Sequence, residues 1–79
     1  MTVSAQISIY PLRQEHSSPA IEAVTRVLES HGLRPEVGPM STQIAGEAEI
    51  VFLALGEAFL AAAAGQVVMT LTVSNACAV

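Results

Sequence analysis

Apolar and polar residues alternate from Val3 to Tyr10, with Val3, Ala5, Ile7 and Ile9 on one side and Ser4, Gln6, Ser8 and Tyr10 on the other. A period of two over eight residues is the mark of a half-buried β-strand, and Pro11, which has no amide proton, is expected to end it. After a polar loop, Ser18-Pro19 reads as a helix start with Ser18 as N-cap. Ile21, Val24, Leu28 and His31 then recur at helical spacing, and Gly32 supplies the stop. Leu33 to Val37 predicts a short strand, weakened by Pro35 and so placed at a sheet edge. Gly38-Pro39 marks a turn, and Met40 to Ala45 a further strand closed by Gly46. From Glu47 to Ala64 the chain is rich in Ala and Leu, carries Glu in its first turn and stops at Gly65, which predicts a second helix. Gln66 to Ser74 alternates again, Val67, Met69, Leu71 and Val73 opposing Val68, Thr70, Thr72 and Ser74.

The order strand, helix, strand, strand, helix, strand predicts an α+β, ferredoxin-like βαββαβ fold. Its four-stranded antiparallel sheet has strand order 4-1-3-2, with two helices on one face. The first and last strands are neighbours in this topology. Their polar sides therefore merge on the uncovered face, where no charged residue stands among the eight. Such a face suits either packing against a second copy or holding a small polar ligand.

Composition narrows the picture. The chain has 79 residues, expected to form one domain over 1–79. A domain of this size buries only about 60% of the surface of its unfolded chain, so its core is marginal. Charged residues make up 13% of the sequence, with no Lys and no Asp, and the net charge is −4. Few charges point to surface hidden in an oligomer, and the acidic balance with only three Arg argues against nucleic acid as a partner.

The most apolar stretch, Ile50 to Ala64, is interrupted by Gly56 and Glu57 and is short for a membrane span. Cys77 is the single cysteine, so no internal disulfide or Cys-based metal cluster is available. Together with the absence of signal-peptide features this leads to the expectation of a cytoplasmic protein without membrane association.

The search for catalytic groups returns little. His16 falls in a loop and His31 at a helix end, neither in a Ser-His-acid or Cys-His arrangement. The glycines are isolated turn residues and make no phosphate-cradling loop. The sequence reads as that of a non-enzyme, with no metal site and no cofactor.

Three segments carry a family likeness: ISIYPL from Ile7 to Leu12, MSTQIAGEAEIVF from Met40 to Phe52, and VVMTLTVSNAC from Val67 to Cys77. In this order and spacing the chain resembles the YkoF-like thiamin/hydroxymethylpyrimidine-binding proteins and the related single-domain thiamin-binding family. The resemblance implies binding of thiamin or its hydroxymethylpyrimidine half without chemical change, in thiamin salvage or transport, and assembly of domains through their sheets. YkoF-type chains carry two such domains in tandem. A single copy here implies a homodimer or a dimer of dimers. The positions matching the family's strand motifs are Ser8 and Tyr10, with Gln6 two residues earlier, Ser41 and Thr42, and Thr72. A Cys-Pro step in relatives is replaced here by Cys77-Ala78.

Hydroxyls and an amide suit an aminopyrimidine, which both donates and accepts. In a regular strand, however, Thr42 shares a side with Met40 and Ile44 and so points to the helices, away from Ser8. Either a bulge shifts the register or the ligand enters between sheet and helices. The alternative to thiamin binding is a ferredoxin-like module that senses another small metabolite or serves only for oligomerisation.

Overall fold

The computed structural model describes residues 1–12, 18–63 and 65–76; Arg13, His16 and Cys77 lie outside them. The elements follow in the expected order: β1 (Thr2–Pro11), α1 (Ser18–Ser30), β2 (Glu36–Val37), β3 (Thr42–Glu47), α2 (Ala48–Ala62) and β4 (Val67–Ser74). They form one antiparallel sheet of order β2-β3-β1-β4, the ferredoxin-like arrangement. Val3, Ala5 and Ile7 of β1 and Ile44 of β3 turn to the same side. There they join Val24 and Leu28 of α1 and Val51, Ala54, Leu55 and Ala58 of α2 in one buried cluster. Both helices therefore cover one face and leave the other open.

Register is regular throughout. β1 and β3 pair from Thr2↔Glu47 to Ile7↔Thr42 without interruption, and β1 and β4 from Ser4↔Ser74 to Pro11↔Val67. No bulge occurs in either pairing. Ser4, Gln6, Ser8 and Tyr10 accordingly stand beside Ser74, Thr72, Thr70 and Val68 on the open face, as alternation predicts.

Several boundaries differ from the sequence expectation. β1 runs through Pro11, because the preceding amide directions leave its ring nitrogen facing the side where β3 has already ended. On the other side, the next amide, Leu12 N–H, donates to Gln66 O at 2.8 Å. β2 shrinks to two residues: Pro35 cannot donate to a ladder, and the Gly38 N–H turns back to Ser41 O at 2.8 Å. β3 begins at Thr42 rather than Met40 and continues through Gly46 and Glu47, since Val3 and Thr2 supply partners there. α2 ends at Ala62, short of Gly65.

The end of α1 shows how one glycine sets the chain path. Gly32 has φ of 79°, a left-handed conformation that costs glycine little. Its N–H donates to Glu29 O at 2.9 Å, and the Leu33 N–H reaches back to Leu28 O at 3.1 Å. This paired closure is the Schellman motif, and it buries Leu33 against the core. At the other helix, Ala48 N–H donates to Met1 O at 2.9 Å, so the residue that precedes β1 satisfies one free amide of the α2 start.

Candidate functional site

β1 is longer than β3 on one side. Beyond Ile7 it has no partner on the β3 flank, and the turn from Val37 to Ser41 folds across the resulting gap. The gap is a notch of about 340 Å³, a size within the range of small-molecule sites. Ser8, Tyr10 and Ser41 line it from the open-face side, while Ile7, Ile9, Thr42 and, from α1, Ile21 line it from the helix side.

This placement answers the conflict over Thr42. With regular register Thr42 is buried and faces the helices opposite Ile7, so it does not share a face with Ser8. A site confined to the open face is therefore ruled out for that pair. The notch, however, is reached from both faces, because the sheet has a missing strand segment there. Four of the six residues singled out in the sequence meet in it. The other two, Gln6 and Thr72, stand side by side on the open face. They line a broader recess of about 540 Å³ with Gln43, Ser74, Arg34 and Glu36.

Gln6 links the two recesses. Its Nε2 donates to Ser41 Oγ at 3.1 Å, and Ser8 Oγ donates to Met40 O at 3.2 Å. These bonds assign roles to the two hydroxyls. Ser8 has committed its proton and presents lone pairs; Ser41 has accepted from Gln6 and keeps its O–H to give. One acceptor and one donor thus face the same notch. Tyr10, 51% exposed, and Met40, 83% exposed, also line the notch and offer an aromatic ring and a thioether as contact surfaces for a flat ring.

Sequence reasoning missed Ile9, Ile21, Pro39 and Met40 as lining residues. Gly38-Pro39 was legible as a turn, but nothing in its spacing says that the turn folds over the end of β1.

His31 follows α1 and is half-buried, its Nε2 paired with Glu57 Oε2 of α2. It acts as a clasp between the helices, away from the notch. Among the described residues, no group of three or more His, Cys, Asp or Glu side chains is placed to hold a metal ion, and no helix is long and apolar enough to cross a membrane.

The fold and notch define a ferredoxin-like domain with a small, uncharged, two-sided recess at the end of its sheet. The chain belongs to the thiamine-binding protein family, whose profile matches residues 5–76. The YkoF-like resemblance is thereby borne out. No curated protein matches the chain. Among solved structures, it is similar to a hypothetical protein of Methanocaldococcus jannascii, at 25% identity over 94% of this chain and 79% of that one, with a TM-score of 0.84. A Streptococcus pneumoniae protein gives 25% identity over 94% and 86%, also with a TM-score of 0.84. A Thermotoga maritima protein, named provisionally for thiamine biosynthesis/salvage, shares the fold at 24% identity over 92% and 82%, with a TM-score of 0.80.

Proposed function

We propose that this protein binds thiamin or its free hydroxymethylpyrimidine in the notch and does not alter it, acting in thiamin salvage or transport. The observation that carries the reading is the pairing of hydroxyl roles at Ser8 and Ser41 inside a recess of a thiamine-binding family member. An aminopyrimidine offers an exocyclic N–H to the Ser8 lone pairs and a ring nitrogen to the Ser41 O–H. Ile9 and Ile21 give the ring apolar contact, and Tyr10 and Met40 cover its faces. Each neutral hydrogen bond adds about 1 kcal/mol net, and burial of the ring's apolar surface adds to that at about 25 cal/mol per Å². In this reading Thr42 shapes the floor from the helix side, and Gln6 holds Ser41 in its donor role. Thr72 belongs to the neighbouring recess and takes part only if the ligand extends across the open face.

The working unit in this reading is a cytoplasmic homo-oligomer, a dimer or dimer of dimers, which the low charge content and the marginal core support. Calorimetric titration with thiamin and with free hydroxymethylpyrimidine tests the binding. A bound ligand at a hundredfold excess over Kd stabilises the fold by about 2.7 kcal/mol and raises the melting temperature. Absence of both heat and melting shift at millimolar ligand rejects the proposal. A response to a different metabolite in the same panel would move the notch to another ligand class.

A further inference from the structure

Next to the notch, the open face of the sheet holds the broader recess of about 540 Å³, which the binding reading does not use. Its shape follows from the pairing register. Residues directly opposite one another on antiparallel strands send their side chains to the same face. One such row across the sheet is Glu36, Gln43, Gln6 and Thr72, and the next is Ala45, Ser4 and Ser74. The first row is built mostly of long side chains and the second of the smallest ones, so the surface steps down between them. Arg34 stands two residues before Glu36 and lines the recess with it from the β2 side.

Charge sets this recess apart from the rest of the open face. No open-face residue of β1 or β4 is charged, and on β3 the one acid, Glu47, is tied to the Met1 ammonium at 3.0 Å. Apart from that pair, Arg34 and Glu36 are the charges on this side among the described residues. They are opposite in sign, and both border the same recess. Two residues of extended chain separate them by about 7 Å, so each is within reach of the other. They nevertheless form no ion pair: the pairs among the described residues are Met1 with Glu47 and His31 with Glu57. Neither side chain has a hydrogen-bond partner among the described residues either. Neutral donors and acceptors complete the walls. Gln6 gives its Nε2 to Ser41 Oγ at 3.1 Å and keeps its Oε1 as an acceptor, while Gln43 and Thr72 can each donate and accept.

We infer that this recess is a second binding site, distinct from the notch, and that it takes a free α-amino acid in its zwitterionic form. The Arg34 guanidinium fork matches a carboxylate with two parallel N–H···O bonds, and the Glu36 carboxylate accepts from an ammonium group. An α-amino acid carries both groups on one carbon, a spacing that two long side chains on neighbouring open-face positions can bracket. A simple anion would meet repulsion from Glu36 and a simple cation from Arg34, so the pair selects a ligand that carries both charges. The ligand's own side chain then lies over the low row of Ala45 and Ser4, toward Gln6 and Thr72. Amide and hydroxyl groups there favour a polar side chain over an apolar one.

Calorimetric titration of the full-length chain with the standard α-amino acids tests this. The strongest binder is then compared with its N-acetyl derivative, which lacks the ammonium, and with its amide, which lacks the carboxylate. The expected result is saturable heat at millimolar concentration or below for a polar amino acid. Each analogue, and each of Arg34→Met and Glu36→Gln, should weaken that binding at least about tenfold, because each removes a charge-assisted contact. Both side chains are exposed, so the variants leave the core intact, which an unchanged melting temperature verifies. Thiamin added to the amino-acid complex should bind without displacing it. The two readings are thereby kept apart: failure of thiamin to bind leaves the recess standing, and failure of every amino acid leaves the notch standing. Absence of heat with all amino acids at millimolar concentration overturns the inference. So does an N-acetyl derivative as tight as its parent, which makes the recess a plain anion site, or displacement by thiamin, which makes it part of the notch.

Discussion

The two flanks of the sheet are built on opposite principles. On the β2 flank the edge strand is two residues long and its neighbourhood carries Arg34, Glu36 and two prolines. The helix over that side, α1, is amphipathic, with Glu22, Arg26 and Glu29 exposed and Val24 and Leu28 buried. On the β4 flank the edge is long and uncharged, and α2 is apolar outside as well as inside. The first flank is finished for water and ends in the notch. The second leaves apolar surface and an open strand edge exposed, which a domain with 13% charged residues is ill equipped to keep soluble. A polar notch and an uncharged strand edge thus stand at different ends of one small sheet.

The largest expected effect tests the core that the two flanks share. Leu28→Ala removes a fully buried side chain between α1 and the sheet and costs about 2–5 kcal/mol. Thermal unfolding should show the domain close to loss of its fold, with ligand binding and self-association falling together.

Ser8→Ala separates the flanks. It removes the acceptor opposite Met40 and should weaken thiamin binding about fivefold, near 1 kcal/mol, while sedimentation stays unchanged. A parallel drop in self-association would show that the notch lies in the interface after all.

Breaking the clasp between the helices comes next. Glu57→Gln alters the side-chain contact to His31 at a carboxylate that is half exposed, and should change stability by less than about 1 kcal/mol. Chemical denaturation checks this.

The smallest effect belongs to Leu60→Ala. The same truncation that is severe at position 28 should change monomer stability by no more than about 0.5 kcal/mol at a residue 74% exposed. A loss of several kcal/mol in dilute protein would mean that the outer side of α2 is already covered.

The fold was legible in the sequence because periodicity is a direct consequence of burial. Val3, Ala5 and Ile7 alternate because one face of β1 meets the helices, and Gly32 is placed where only a left-handed residue closes α1. Boundaries were less legible. Pro11 reads as a strand end, but a proline is tolerated where its nitrogen faces no partner, and that depends on where β3 stops.

The candidate site was legible only in part. Ser8, Tyr10, Ser41 and Thr42 were recognised through family resemblance. Their alternation set Thr42 apart from Ser8, and the regular register upholds that separation. What brings the four to one recess is the difference in length between β1 and β3 and the fold-back of the turn from Val37 to Ser41. Neither is a property of any short segment. The sequence by itself determined the element order, the sheet topology, the buried face and the uncharged character of β4, since each follows from local pattern and residue type. Only the tertiary structure decided that a notch opens at one end of the sheet and that Phe52, Phe59 and Leu60 of α2 stay exposed while Val51, Ala54, Leu55 and Ala58 are buried, because both depend on how elements distant in sequence stop short of, or cover, one another.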